Sequence, residues 1–270
     1  MGYPSNLKIA TKVLTKDILL ASTAFTRMDK INFGARMAVF KFASPSASKV
    51  VVWSPLPYSP QVLDVLKDFL GASSEADLNI DYVIVPDREH NMAAAVYKEK
   101  FPHAKVIGPE KTERVKLDVT FTEKEANKLI SGASLSQLVD GDRVIVDNFD
   151  FVYLPYHANS ELVVFEKSSK TLFEADLLFN LGAKGPLEQF SPATGFPENY
   201  NPHTGWSYIT RYMQPYSKIG RFMFRKIVNV SKSKSGLEAI ASLDFDTIVM
   251  SHGNIITTDA KEAFKHDFLS

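Results

Sequence analysis

The chain has 270 residues, no cysteine, and 31 basic and 31 acidic residues, so its formal net charge is zero. Its 45% hydrophobic and 23% charged residues are the balance of a globular protein and exclude a disordered, collagenous or coiled-coil chain. The missing thiols exclude disulfide scaffolds, thiolate zinc fingers, iron–sulfur clusters and cysteine nucleophiles, so a transition-metal site must use His, Asp and Glu.

The first part of the chain is predicted to begin with strands and then to alternate between helices and strands. Short β-branched or aromatic segments bounded by turn residues predict strands over residues 8–14, 17–24, 35–42 and 49–53. Apolar spacing and length then predict a helix over 61–70, a strand over 81–85, a helix over 91–101 and a strand over 104–107. This strand–helix–strand order is a βαβ unit, which predicts parallel pairing.

The second part is predicted to contain a further group of strands and then mostly helices. The patterns predict a helix over 121–130, strands over 143–146, 149–154, 161–166 and 171–175 with a hairpin turn at 167–170, helices over 206–230 and 234–243, a strand over 246–250 and a helix over 259–268. Residues 180–206 are rich in Gly, Pro and Asn, which is typical of a loop that is either functional or poorly ordered. Together the patterns predict an α/β protein with two sheets covered by helices.

No targeting signal is apparent near the start of the sequence. The first residues are polar, and the apolar stretch 18–25 is too short to span a membrane and too far along the chain for a typical signal peptide. We therefore expect a soluble, cytoplasmic protein.

Four candidate metal ligands each follow the carboxyl end of a predicted strand. They are His90, His157, Asp176 and His252. Open α/β sheets gather ligand sites at such strand ends, and three imidazoles with one carboxylate are enough for a zinc-type site with a position left for water. Asp87 and Glu89, which share the loop of His90, could add oxygen ligands or act as a base.

Each of these residues also has a structural interpretation. A single histidine is more often a capping or core residue than a ligand, and Asp176 could cap a short helix over 177–180. His103 and His266 do not follow a strand end and are expected to be surface residues. For His203, in the long loop, the sequence favours neither a place in the site nor a surface position. The shared position of the four candidates, and not their identity, favours a metal site.

Three segments in the back half contain the candidate ligands His157, Asp176 and His252. They are YLPYHANSEL at 153–162, TLFEAD at 171–176 and VMSHG at 249–253. In this order and spacing they resemble the metallo-β-lactamase superfamily. The family has a histidine before a strand, an aspartate after the next strand and a late His-Gly. Its front motif, HxHxDH, is replaced here by VPDREH at 85–90, so that only His90 matches directly; Glu89 stands at the aspartate, Asp87 at the second histidine and Val85 at the first.

A little-characterised branch of that superfamily is a closer match. It has an early Trp-Ser-Pro segment, a Pro-Asn/Asp-x-x-His motif and a Phe-Pro-x-Ala-Lys segment. In this chain they read WSP at 53–55, PDREH at 86–90 and FPHAK at 101–105. The resemblance extends from about Ala35 to His252, which is most of the sequence.

The resemblance implies a fold and a ligand set. The fold would be an αββα sandwich of two mixed β-sheets flanked by helices, a single domain over 1–270 with a long loop and helical insertion at about 180–243. Of the family's first metal site only His157 remains. The second site is better preserved, as Glu89, His90, Asp176 and His252, so one divalent ion is expected, with zinc the first choice and iron or manganese tolerated.

The activity that the resemblance implies is hydrolysis of a small molecule by metal-activated water. Asp87 or Glu89 would orient that water or accept its proton, and the substrate would be a lactone, ester or thioester. The aromatic residues of the loop 180–206 would contact the substrate or simply pack over a sheet edge; they are Phe190, Phe196, Tyr200 and Trp206.

Three other functions compete with the hydrolase. A binding or scaffold protein on a catalytically decayed fold would explain the missing front histidines. A diiron redox protein needs a fuller ligand set and normally a flavin domain. A nuclease is disfavoured because the neutral charge supplies no basic footprint, so no nucleic-acid or membrane partner is expected. The oligomeric state is left open.

Overall fold

Fourteen strands and seven α-helices make up the regular structure of the computed structural model, which describes residues 2–44, 48–182 and 185–270. Residues 183 and 184 of the predicted long loop lie outside the described residues. The strands are β1 (Ala10–Thr15), β2 (Ile18–Thr23), β3 (Thr26–Arg27), β4 (Ile31–Asn32), β5 (Ala35–Phe42), β6 (Lys49–Trp53), β7 (Tyr82–Ile84), β8 (Lys105–Pro109), β9 (Val119–Phe121), β10 (Leu129–Ile130), β11 (Phe149–Leu154), β12 (Glu161–Glu166), β13 (Thr171–Glu174) and β14 (Thr247–Met250). The helices are α1 (Pro60–Leu70), α2 (Ala94–Lys100), α3 (Gly132–Leu138), α4 (Arg143–Asn148), α5 (Lys218–Val228), α6 (Val230–Ser242) and α7 (Ala260–Phe268).

The strands form two large sheets and one small hairpin. The first sheet has the order β1-β2-β5-β6-β7-β8-β9; its pairs are antiparallel as far as β6 and parallel from β6 to β9. The second has the order β10-β11-β12-β13-β14, antiparallel except for the parallel pair β13–β14. The small hairpin pairs β3 with β4. Both large sheets are mixed, and the parallel pairing expected for the βαβ unit is present.

Three apolar cores separate the layers. The middle core lies between the two sheets, where Phe40 and Trp53 of the first sheet make edge-to-face contacts with Phe173 of the second at 5.0 and 5.6 Å between ring centroids. The outer face of the first sheet is covered by α1 and α2, and that of the second by α5, α6 and α7. The arrangement is the αββα sandwich of two mixed sheets flanked by helices, so the predicted fold class is confirmed.

Local signals in the sequence explain why α1 forms where it does. The Ser59 hydroxyl accepts a hydrogen bond from the Val62 amide, and Pro60 occupies the first turn, where its missing N–H costs nothing. Gly71, at φ 70°, ends the helix in the left-handed conformation. Val62 and Leu66 are buried against the first sheet, which fixes the helix over the strands that lead to His90.

Two predicted elements were wrong. Residues 121–130, predicted as a helix, form the end of β9, one 3₁₀ turn and β10; Thr122 and Glu125 close a capping box that supports a single turn, and Asn127, at φ 53°, leaves the helical region. Residues 143–146, predicted as a strand, begin α4, because the Asp142 side chain accepts from the Val144 amide at 2.9 Å and Arg143 pairs with Asp147 one turn on. The first segment leaves the helical conformation at Asn127, whose amide donates to the Tyr153 carbonyl oxygen of β11. In the second segment a local cap outweighed the strand propensity of the apolar residues.

The predicted helix over 206–230 is two helices. A 3₁₀ helix over Gly205–Tyr212 is followed by α5, and Tyr216, at φ 66°, lies in the turn between them. The Ser217 hydroxyl then caps α5 by accepting from the Gly220 amide at 3.1 Å. Among the described residues, no helix combines the length and apolar character needed to cross a membrane.

Candidate metal centre

Three side chains from three loops meet at one edge of the sandwich. His90 follows β7, Asp176 follows β13 and His252 follows β14. One ligand atom from each lies within 4.8 Å of the others. The His90 and His252 Nε2 atoms are 3.3 Å apart, and His252 Nε2 is 3.1 Å from Asp176 Oδ1. We call these three residues the three-donor cluster.

The register of β13 and β14 explains why Asp176 and His252 meet. The two strands are parallel, with Glu174 opposite Met250, so the chain leaves both at the same edge. Gly253, at φ 92°, lets the His252 loop pass close to the next segment, since a Cβ there would lie 2.2 Å from the Asn180 carbonyl oxygen. A glycine is therefore required directly after His252.

The hydrogen bonds of the two histidines determine which ring nitrogen faces the cluster. His252 Nδ1 lies 2.8 Å from the Gly34 carbonyl oxygen, which can only accept, so Nδ1 carries the proton. His90 Nδ1 lies 2.9 Å from Asp87 Oδ2 and donates to that carboxylate in the same way. When each ring carries a single proton, its Nε2 therefore presents a lone pair to the cluster. Such outer partners orient the histidines of metal sites.

A divalent cation fits this donor set. Asp176 Oδ1 is buried and accepts no hydrogen bond from the described residues, so it faces the two Nε2 atoms without a partner, and a metal ion would displace the proton that His90 holds in its absence. Ligands at 2.0–2.1 Å from a tetrahedral ion would be about 3.3 Å apart, close to the two separations of 3.3 and 3.1 Å. The other oxygen, Asp176 Oδ2, accepts from Asn159 Nδ2 at 2.6 Å.

The electrostatics of the cluster also favour a positive charge. Burial on its own would lower the pKa of His90, but the carboxylates of Asp87 and Asp176 outweigh it and raise that pKa to about 9. Burial would raise the pKa of Asp176, yet the neighbouring histidines, His90 first, hold it well below its usual range. The field that keeps a proton on His90 would stabilise a metal cation in its place.

His157 lies beside the cluster and not in it. Its Nδ1 accepts from the Asn159 amide at 3.1 Å, so Nε2 carries the proton and donates to the Asp176 carbonyl oxygen at 3.2 Å. Burial lowers its pKa and keeps it neutral. Both ring nitrogens are thus engaged with backbone groups, and in this structure His157 holds the loop that carries Asp176.

Asp87 and Glu89, the two predicted bases, have different surroundings. Asp87 is fully buried; its Oδ1 accepts from the Glu89 and His90 amides, both at 2.7 Å, and its Oδ2 binds the His90 ring. This geometry favours Asp87 as the residue that orients His90. Glu89, which the resemblance also gives as a metal ligand, is exposed and lies at the wall of the cavity, beside the three donors and not among them.

Two further buried carboxylates support the centre and were missed in the sequence analysis. Glu161 accepts from the Ala175 and Asp176 amides at 2.6 and 3.3 Å, and Glu174 accepts from the Leu177 and Leu178 amides at 2.8 and 3.2 Å. Burial raises the pKa of both well above the usual range. The signal that could have found them is a glutamate at one end of a short and mostly apolar strand, because a buried glutamate is rare without a partner.

The other histidines and the aromatic loop residues lie elsewhere. His103 is exposed, His266 contacts Asp267, and His203 contacts Thr210. Trp206 is 73% exposed. Three aromatic rings of the predicted substrate loop pack against one another, at centroid distances of 4.5 to 6.2 Å, and join the apolar core that also contains residues of α5, α6 and α7; they are Phe190, Phe196 and Tyr200.

The cluster opens onto a cavity of about 390 Å³, which we call the site cavity. Its walls come from the N-terminal segment, the β3–β4 hairpin, the loop of His90, the 3₁₀ helix over 205–212 and α5. A cavity of this size lies in the range of small-molecule sites. The centre is therefore accessible to a small ligand.

Comparison with known proteins gives a match in fold. No family model matches the chain, and no curated protein matches it. Over 97% of both chains it superposes on a metallo-β-lactamase from Hirschia baltica at 10% identity and a TM-score of 0.57. With FIM-1 from Pseudomonas aeruginosa in its mono-zinc form it shares 10% identity over 98% of this chain and 96% of that one, with a TM-score of 0.56.

A third neighbour has a different printed description. The Flv1 flavodiiron core from Synechocystis sp. PCC6803 has 12% identity and a TM-score of 0.58, over 97% of this chain and 60% of that one. The chain thus has the metallo-β-lactamase fold, and the resemblance read from its sequence is confirmed at the level of the fold.

Replacing Asp87 by asparagine is expected to weaken zinc binding about 10- to 100-fold. The amide would present Nδ2 to the His90 ring, which favours the tautomer with its proton on Nε2, facing the cluster. The pH dependence should change as well. In the parent protein the His90 proton, with a pKa of about 9, competes with the metal, so affinity rises about tenfold per pH unit between pH 7 and 9.

Removing the Asp87 charge lowers the pKa of His90, so this rise should flatten in the variant. Zinc competition with a chromophoric chelator at several pH values measures both effects. Asp64→Asn, at an exposed surface carboxylate, is the control and should leave affinity and slope unchanged. The same slope in the Asp87 variant and the control would contradict the role assigned to Asp87.

Proposed function

We propose that the protein is a metal-dependent hydrolase whose centre is built by His90, Asp176 and His252. The observation that supports this most strongly is the set of three lone pairs, from two oriented imidazoles and one carboxylate, at the wall of a small-molecule cavity. Two nitrogens and one oxygen with a position left for water suit zinc, and the carboxylate would also accept iron or manganese.

The proposed substrate is a small lactone, ester or thioester, which is an analogy at the level of the fold. A divalent ion at this centre supplies a Lewis acid that lowers the pKa of bound water and polarises a carbonyl oxygen. Asp87 and the Gly34 carbonyl keep the two imidazoles in the tautomer that binds metal. Glu89, exposed at the cavity wall, is assigned the transfer of the proton from water to the leaving group.

A binding protein on a catalytically decayed fold is the second candidate, and one observation favours it. Val85, at the position of the family's first front histidine, is fully buried in the core of the first sheet. Asp87, at the position of the second, accepts a hydrogen bond from the His90 ring. Neither position supplies a ligand to a second ion. A decayed protein would retain the fold and the cavity but turn over no substrate.

Metal content and hydrolysis together test the proposed function. We expect about one divalent ion per chain and hydrolysis of at least one lactone, ester or thioester, lost on chelation and restored by zinc. His90→Ala should lose both properties, whereas His103→Ala, at an exposed histidine, should retain both. Absence of bound metal, or turnover that chelation does not affect, would exclude the hydrolase.

A further inference from the structure

The walls of the site cavity are mostly apolar. Apart from the three-donor cluster, twelve of the sixteen described residues that line it are apolar or aromatic, among them Phe33, Phe179, Ile209, Met213, Met223 and Ile227. They range from buried, at Phe179 and Met213, to half exposed, at Ile209. Apolar surface therefore continues from the cluster to the mouth of the cavity.

The polar groups of the lining are mostly satisfied by the protein itself. Asn159 Nδ2 donates to Asp176, and the Thr210 hydroxyl donates to the Ser207 carbonyl oxygen at 2.7 Å. The charged lining residues outside the cluster, Arg27 and Glu89, are both exposed and belong to the rim. A ligand with hydrogen-bonding groups along its body would leave them unpaired, at a cost in affinity.

The type of apolar residue favours a flexible occupant. Three of the lining residues are methionines, Met92, Met213 and Met223, whose unbranched side chains adapt to irregular shapes. They project from three separate segments of the chain, so the walls can adjust around a chain that has many conformations.

We infer that the site cavity binds an unbranched aliphatic acyl chain, so that the substrate is an acyl ester, thioester or lactone with its carbonyl at the three-donor cluster and its chain along the apolar walls. This inference rests on the proposed function for the position of the carbonyl. The chain-binding surface itself is defined by the lining residues alone, and it can therefore be tested without turnover.

Binding is tested first, on metal-free protein and on the His90→Ala variant. Straight-chain carboxylic acids from butyrate to decanoate would compete with a fluorescent anilinonaphthalene sulfonate probe. Affinity should rise about fourfold for each added methylene, which corresponds to about 0.8 kcal/mol, until the chain fills the cavity. Affinity that is independent of chain length, or equal for phenylacetate and the straight-chain acid with the same number of carbons, would overturn the inference.

Two variants on α5 form a matched pair. Ile227 lines the cavity, whereas Phe222, on the same helix, is 67% exposed and does not line it. Ile227→Gln should flatten the dependence on chain length, and Phe222→Gln should leave it unchanged. Ile209→Gln, at the half-exposed mouth, repeats the test should Ile227→Gln fail to fold. An unchanged slope in a folded cavity variant would overturn the inference.

Hydrolysis is tested separately, with zinc-loaded protein and acetyl, butyryl, hexanoyl and octanoyl esters. We expect kcat/KM to rise with chain length by the same factor as binding. Chain-dependent binding without turnover of any ester would exclude the hydrolase and retain the acyl-chain site. Turnover without a preference for longer chains would retain the hydrolase and exclude the acyl-chain site.

Discussion

Replacing His252 by alanine is expected to abolish stoichiometric metal binding, with a loss of affinity greater than about a hundredfold. His252 supplies one of two imidazole lone pairs, and its Nε2 lies within 3.3 Å of both other donor positions. Removing an outer hydrogen-bond partner of a metal ligand lowers metal affinity by about 10- to 100-fold. Removing the ligand itself should therefore lower the affinity further. Metal content after equilibrium dialysis against zinc measures the effect.

Two other histidines provide the comparison. His103→Ala, at an exposed position, should bind as much metal as the parent protein. His157→Ala should show an intermediate loss, since His157 contacts the Asp176 backbone and does not face the cluster. Full metal occupancy in the His252 variant, or equal losses in the His157 and His252 variants, would contradict the arrangement described.

The position of the centre could be predicted from sequence because it depends on strand ends. Asp176 and His252 each follow a short apolar strand, and parallel pairing of β13 and β14 brings them together. His157 also follows the end of a strand, β11, as its position in the sequence predicts. Its ring orientation could not be predicted, because it is set by the Asn159 amide and the Asp176 carbonyl across a turn.

The supporting carboxylates could not be assigned from sequence for a similar reason. The loop that Asp87 shares with His90 suggests a role as a base. In the structure, however, the oxygens of Asp87 accept hydrogen bonds from two backbone amides and the His90 imidazole. Glu161 accepts a hydrogen bond from the amide of Ala175, which is distant in sequence, whereas Glu174 accepts from the amide of Leu177 in the following turn. These roles depend on three-dimensional contacts that spacing along the chain does not contain.

The layers of the fold were predictable, and some connections were not. Alternation of apolar strands with amphipathic helices is enough to predict two covered sheets. Residues 144–146 are β-branched and apolar, yet they lie in α4 because Asp142 caps the first turn and Ile145 is buried at helical register. A strong local cap is visible in sequence only when the turn that it closes is already known.

One buried cation links the two sheets immediately behind the centre. Arg36, on β5, has no exposed side-chain area; its Nε donates to the Ser22 hydroxyl at 3.1 Å and a terminal nitrogen pairs with Glu188 at 3.0 Å. The other terminal nitrogen donates to the carbonyl oxygen of Met250, two residues before His252. Arg36 therefore supports both the packing of the sheets and the loop of the metal centre.

Replacing Arg36 by alanine is expected to lower the free energy of unfolding by about 3–5 kcal/mol, because a fully buried side chain is removed and the buried Ser22 hydroxyl and Met250 carbonyl oxygen lose their donor. Lys12 contacts the same Glu188 carboxylate at 3.1 Å but is 47% exposed, so Lys12→Ala should cost less than about 1 kcal/mol. Urea unfolding of the metal-free variants at pH 7 measures both values.

Since total stability is of the order of 5–15 kcal/mol, the Arg36 variant should unfold at a clearly lower urea concentration and also bind metal more weakly. Lys12 and Arg36 both pair with Glu188 but differ in burial. Equal losses of stability in the two variants would mean that burial does not determine the strength of the contact.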